Sequence, residues 1–170
     1  MAEKKAQQLP ALTDTLIPTV PLDPSTITLE LDEIWSFVRK KVNQHWVWLA
    51  LCRKTRQIVA FVIGDRGEVT CRKLWRAIPY IYRSGTCYTD FWQAYQAVIP
   101  SENHQAVGKE TGETAHVERF NNTLRQRLAR FVRKTLSFSK SSLMHEICLK
   151  LFIWRYNMEI RDKYLQAVLL

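Results

Sequence analysis

None of the four cysteines, Cys52, Cys71, Cys87 and Cys148, forms a C-x-x-C pair or shows the spacing of a zinc site. In a reducing compartment they read as small buried hydrophobes. Nor does any stretch reach the roughly 18 uncharged apolar residues that a membrane-spanning helix needs. The nearest candidates, "HWVWLALC" and "QIVAFVIG", are separated by the charged "RKTR" and suit two core strands better. The opening "MAEKKAQQLPAL" lacks the continuous apolar region of a secretory signal. A cytoplasmic, nucleoid-associated protein without a membrane partner is the expectation. Internal repeats and low-complexity segments are also missing.

Acids are scarce in the last third. Residues 119–170 hold 11 basic and 3 acidic side chains, a net of +8, whereas residues 1–118 hold 14 and 13, a net of +1. Nearly all of the overall +9 therefore lies beyond Glu118. Positive charge concentrated on one part of a folded domain suggests a polyanion, most often nucleic acid; a solvated basic helix is the plain alternative.

At 170 residues the chain suits one domain with flanking segments. Residues 1–25 carry Pro10, Pro18, Pro21 and Pro24 with little periodicity and read as a linker or flexible tail, leaving 26–165 as the domain. Strands are expected near 26–38, 45–53 and 57–64, the last two joined as an antiparallel hairpin by "RKTR". A helix over 68–78 ends at Pro79, a short strand "GTCYTD" runs to Asp90, and "FWQAYQAVI" forms a helix closed by Pro100. Residues 104–108 suit a brief fifth strand. Val117, Phe120, Leu124, Leu128 and Phe131 then recur at helical steps, predicting a long helix over 114–134, and a last helix follows "SFSKSS". The order implies an α/β fold, a mixed sheet with helices on both faces.

Within "ITLELDEIWSFV", Ile27, Leu29 and Leu31 alternate with Thr28, Glu30 and Asp32 as in a half-buried strand. An acid near a core strand costs free energy unless a positive group compensates it. Asp90 closes a strand at its carboxyl end, where open α/β sheets place ligands, and Glu118 lies one turn into a helix. Asp32, Asp90 and Glu118 together would suit Mg2+ or Mn2+, and two such ions about 4 Å apart can act on a phosphodiester. Asp90 could instead be an N-cap. Glu33, on the opposite strand face from Asp32, reads as solvated or structural.

The helix "HVERFNNTLRQRLARFVRKT" sets Asn121, Asn122 and Arg125 within two turns of Glu118, with Arg119, Arg127, Arg130, Arg133 and Lys134 farther along. Too few acids are present to pair these arginines, so DNA or RNA backbone is the better partner. Most of the six tryptophans sit in apolar patterns and read as core, with Trp92 the best placed for contact near the acids.

Over roughly residues 26–160 the sequence resembles bacterial transposases of the insertion sequence one family, within the DDE group. The resemblance rests on "LELDEIWSFV", "RKTRQIVAFVIGDR", "CYTDFWQAY", "HVERFNNTLRQRLARFVRKTLSFSKS" and "FIWRYN". It implies a ribonuclease-H-like fold, two Mg2+ or Mn2+ ions, and Asp32, Asp90 and Glu118 as the catalytic, metal-binding acids. Arg125, seven positions past Glu118, resembles a basic residue that many DDE enzymes set against DNA. The implied activity is metal-dependent cleavage at transposon ends and strand transfer into target DNA, by a homo-oligomer assembled on DNA. His116 could touch DNA, assist the metals or simply pack. Members of the family resemble a fusion with an N-terminal zinc-finger and helix-turn-helix region, absent from this sequence. The chain thus looks like the catalytic half, to be fused with an upstream DNA-binding product, or a decayed remnant. A catalytically silent nucleic-acid-binding fragment and another ribonuclease-H-like nuclease remain as alternatives.

Overall fold

A computed structural model describes residues 8–18 and 26–168. Five strands form one sheet in the order β3-β2-β1-β4-β5: β1 Thr28–Val38, β2 Lys40–Cys52, β3 Ile58–Gly64, β4 Thr86–Thr89 and β5 His104–Ala106. β1, β2 and β3 meander antiparallel, whereas β4 and β5 run parallel to β1. Helices α1 Glu68–Ala77, α2 Tyr80–Arg83 and α3 Gln93–Val98 connect β3 to β5. α4 Ala115–Arg127 and α5 Ser142–Val168 complete the fold. The mixed five-stranded sheet with helices packed on it is the expected α/β architecture, consistent with a ribonuclease-H-like fold.

β1 is central, so both its faces must be covered. Leu29 and Leu31 pack in one core with Cys71, Leu74 and Tyr95 of α1 and α3. Ile34 packs in the other with Val117, Phe120 and Leu124 of α4 and Leu149 and Ile153 of α5. The period-two alternation thereby assigns Glu30 and Asp32 to the α4 side and Glu33 to the α1–α3 side. Cys52, Cys71 and Cys87 are buried as expected, and burial pushes the Cys71 and Cys87 thiols up to about 12.

The "RKTR" hairpin forms as anticipated, with Arg56 in the left-handed region (φ 63°) and its N–H donating to Cys52 O at 2.8 Å. A second, tighter hairpin joins β1 to β2 through Arg39 alone (φ 64°), so β2 starts five residues earlier than the pattern 45–53 suggested. The long helix predicted to Lys134 stops at Arg127. Leu128 leaves the helical region (φ −117°, ψ 98°), and a 3-10 turn over Ala129–Phe131 follows. The apolar spacing continues through the break, because this turn drops Phe131 into the core against the His145 ring, 4.4 Å away. Arg130, Arg133 and Lys134 therefore lie beyond the helix.

Part of the segment read as a linker, residues 12–17, packs on the sheet edge; residues 1–7 and 19–25 lie outside the described residues. The buried Asn157 of α5 holds this arrangement. Its Nδ2 donates to Thr15 Oγ1 and Ile58 O, both at 2.9 Å, and its Oδ1 accepts the Ile58 N–H at 2.9 Å. Gln57 adds bonds to Ile17 N, Thr15 O and Asn157 O. One amide thus satisfies both backbone groups of Ile58 on edge strand β3, a position whose polar groups would otherwise be buried unpaired. Among the described residues no helix is long and apolar enough to cross a membrane.

Replacing Asn157 with Ala leaves the Ile58 N–H and C=O without partners. A loss of roughly 2–4 kcal/mol is expected, read as a lower urea midpoint with little change in slope. An unchanged midpoint would show that water or backbone movement replaces the amide.

Candidate active site

The parallel pairing of β1 with β4 aligns Leu29 with Cys87 and Glu30 with Tyr88. Continuing that register carries Asp32 on β1 alongside Asp90, just past the end of β4. α4 crosses the same face, and the Asn121 Nδ2 donates to Asp32 Oδ2 at 2.7 Å. Asp32, Asp90 and Glu118 consequently line one cleft of about 380 Å3, together with Asn121, Asn122, Arg125 and Arg133. Seven of the eleven residues singled out in the sequence meet there.

The other four do not. Arg127 faces α5, 3.6 Å from Glu159 Oε2. Arg130 and Lys134 lie outside the cleft lining, and Arg119 is exposed elsewhere on α4. Asp90 is not the N-cap of α3, which starts at Gln93 without a side-chain cap; its Oδ1 instead accepts the Trp92 N–H at 3.0 Å in a local turn. Trp92 stacks at 4.2 Å on the guanidinium of Arg66, whose other close aromatic is Trp46 at 4.6 Å. The Trp92 indole N–H also donates to Arg66 O, tying the Asp90 turn to the loop after β3.

Glu33 is not solvated. Its carboxylate is buried on the far face, accepting from Tyr95 Oη at 2.7 Å and from Arg66 Nε at 2.7 Å. Burial raises its pKa against these two bonds.

Glu30 was missed by sequence reasoning and proves central. Fully buried, it accepts the backbone N–H groups of His116 (2.8 Å) and Val117 (3.0 Å) at the start of α4. Arg53 Nε at 2.8 Å and His116 Nδ1 at 2.7 Å meet its other oxygen. α4 has no side-chain cap of its own, so a carboxylate from β1 satisfies its first donors and complements the positive end of its dipole. His116 thus has a structural task. The missed signal was the pair Glu30 and Asp32, two apart on one strand face and hence both directed at α4.

Burial first, then Glu33, Asp90 and Glu118, push Asp32 up to about 7. Arg125 lies nearby, anchored through its Nη1 to Phe131 O at 2.8 Å and its Nη2 to Trp35 O at 3.4 Å. Burial and Arg133 lower its pKa, while Asp32 raises it. Oxygen-only donors with excess negative charge suit a hard divalent cation. So does Asn121 Oδ1, buried without a hydrogen-bond partner. Yet among the described residues no three His, Cys, Asp or Glu side chains are grouped to hold a metal ion as they stand. Each of the three carboxylates has a protein hydrogen-bond partner: Glu118 Oε1 accepts from Thr114 Oγ1 at 2.9 Å, Asp32 Oδ2 from Asn121 Nδ2, and Asp90 Oδ1 from the Trp92 N–H. The donor chemistry fits a cation.

A raised carboxyl has a definite sign. Between about pH 4 and pH 7 the folded chain holds a proton on Asp32 that the unfolded chain has released, so stability falls as pH rises through that window. Asp32→Asn removes the term. In divalent-free buffer the variant should exceed the parent in stability at pH 8 by on the order of 2–4 kcal/mol. The difference should shrink towards pH 4, followed by urea unfolding; equal stabilities at pH 8 would contradict the electrostatics.

A sequence model of a family described as IS1 transposase matches residues 25–159. The iso-IS1n protein InsB of Shigella dysenteriae is 40% identical over 129 residues, covering 75% of this chain and 94% of that relative. The IS1 protein InsB of Shigella flexneri is 36% identical over 120 residues, covering 71% and 88%. An IS1 protein InsB of Escherichia coli (strain K12) is 35% identical over 120 residues, covering 71% and 70%. With a family match over residues 25–159 and relatives at 35–40% identity covered over 70–94% of their length, the chain belongs to the IS1 transposase family.

Proposed function

We propose that this member of a transposase family carries out the chemistry of transposition, cleaving DNA at transposon ends and transferring the exposed 3′-hydroxyl to target DNA. The observation that supports this most is the convergence of Asp32, Asp90 and Glu118 on one cleft beside a fixed arginine. Mg2+ or Mn2+ bound by these three carboxylates would supply Lewis acidity and charge neutralisation at the phosphodiester.

The chain's own residues position and bind. Arg125, held by two backbone carbonyls, presents a preorganised cation at the cleft for a phosphate oxygen. Asn121 donates to Asp32 and orients it, and Asn122 and Arg133 line the path a DNA strand would follow. Glu30 fixes the start of α4 and so the reach of Glu118. Phosphoryl transfer asks little covalent chemistry of a protein beyond such placement. Assembly as a homo-oligomer on DNA, and fusion to an upstream DNA-binding product that selects the ends, belong to the same proposal. A DNA-binding role without chemistry is favoured only by the open arrangement of the acids.

Asp32→Asn, Asp90→Asn and Glu118→Gln should each lower transposition of a complete element by at least about a hundredfold. Affinity for DNA should stay within a few fold. Transposition at parental levels in any of the three would remove the catalytic reading; loss of DNA binding in all three would favour a binding role.

A further inference from the structure

Two long segments of this sequence carry no acid at all: Ile34 to Gly64 and Arg119 to His145. The fold sews them together. Val38 bridges Ser139, the Arg39 N–H donates to Ser139 O at 2.7 Å, and Arg39 Nε donates to Lys140 O at 2.8 Å. Beneath the seam, the buried His145 ring links Ser36 Oγ (2.9 Å) to Ser139 Oγ (2.7 Å). The left-handed Arg39 makes the β1–β2 turn tight enough to present Lys40 and Lys41 at its exposed end.

The result is one surface holding Arg39, Lys40 and Lys41 from the hairpin with Arg133, Lys134 and Lys140 from the segment after α4. Among the described residues, none of these six cations makes an ion pair. Specific bonds between residues about 100 apart in sequence thus hold like charges together, which disfavours the isolated chain and favours a bound polyanion. Lys41, Arg133, Lys134 and Thr135 line a shallow groove of about 350 Å3. Arg133 also lines the acidic cleft, so one side chain borders both the groove and the cleft.

We propose that the β1–β2 hairpin end and the 133–140 segment form a sequence-independent track for the phosphate backbone of duplex DNA, delivering it through Arg133 to the acids. The proposal rests on the reading of the cleft as a site acting on DNA phosphodiesters, and extends it to Lys140 and to Arg39, Lys40 and Lys41, the last three of which lie far from α4 in sequence. Lysines on flexible stems suit backbone charge rather than base edges, so the track should hold DNA without selecting its sequence.

The test measures binding of the full chain to a duplex of about 30 base pairs of arbitrary sequence, by fluorescence anisotropy across a salt series. Lys40→Gln/Lys41→Gln/Lys134→Gln should weaken binding at least tenfold at moderate salt. It should also reduce the slope of log K against log salt by about 2–3, since each lost phosphate contact contributes near 0.9. A charge-matched control, Lys54→Gln/Lys73→Gln/Lys163→Gln, removes exposed lysines elsewhere and should change binding less than threefold. Equal weakening by both triples would reduce the effect to net charge and overturn the track, as would parental binding by the first. Tighter binding to vesicles of anionic lipid than to the duplex, lost in the first triple, would assign the surface to a membrane instead. Cleavage by the Asp32→Asn variant separates the two readings: if it cleaves as the parent does, the catalytic reading falls while the track stands on its binding data.

Discussion

The contact on which the site depends is the carboxylate of Glu30 inserted beneath the first turn of α4. A helix that starts without a side-chain cap and lies against a sheet has several N–H groups to satisfy in a region water does not reach. Glu30 satisfies two of them from the central strand, Arg53 compensates its charge, and His116 Nδ1 lies at hydrogen-bond distance from its other oxygen. Because Glu30 and Asp32 share a strand face, the bond that seats α4 also brings its polar face over Asp32. Asn121, one turn beyond, then reaches Asp32 directly, and Glu118 lines the same cleft.

The same geometry explains why the two adjacent acids of β1 differ. Glu33 points to the α1–α3 core, where a tyrosine hydroxyl and an arginine stacked between two indoles share its charge. Asp32 faces Asp90, Glu118 and one amide, and burial with the neighbouring acids raises its carboxyl to about 7. The protein thus partly offsets the burial of Glu33 with Arg66 and Tyr95, whereas the one side-chain bond to Asp32 comes from a neutral amide. Strongly shifted groups in clefts mark functional sites for this reason.

Much of this was legible in the sequence because strand alternation and helical spacing report which face a residue occupies. Asp32 and Glu33 could be assigned to opposite faces from period two alone, and Asp90 to a strand end. Glu30 escaped because two of its partners are backbone N–H groups, which leave no mark in a side-chain pattern, and the other two, Arg53 and His116, lie 23 and 86 residues away. The end of α4 escaped for a related reason: Leu128 and Phe131 keep a helical interval while the backbone leaves the helix, so periodicity could not show the break. With that break, Arg130 and Lys134 left the helix face, and Arg127 proved to face Glu159 of α5. The hairpin cations were invisible as a group because their neighbours lie about 100 residues away and are joined by main-chain bonds.

The central claim is that Asp32, Asp90 and Glu118 serve one cation site, and the direct test is Mn2+ binding to the intact chain near pH 6.5, followed by electron paramagnetic resonance with simultaneous measurement of proton release. Binding should expel protons, because Asp32 must ionise to coordinate, and Asp32→Asn or Glu118→Gln should each weaken affinity at least about tenfold. Mn2+ affinity indifferent to both substitutions, or binding without proton release, would contradict a shared site.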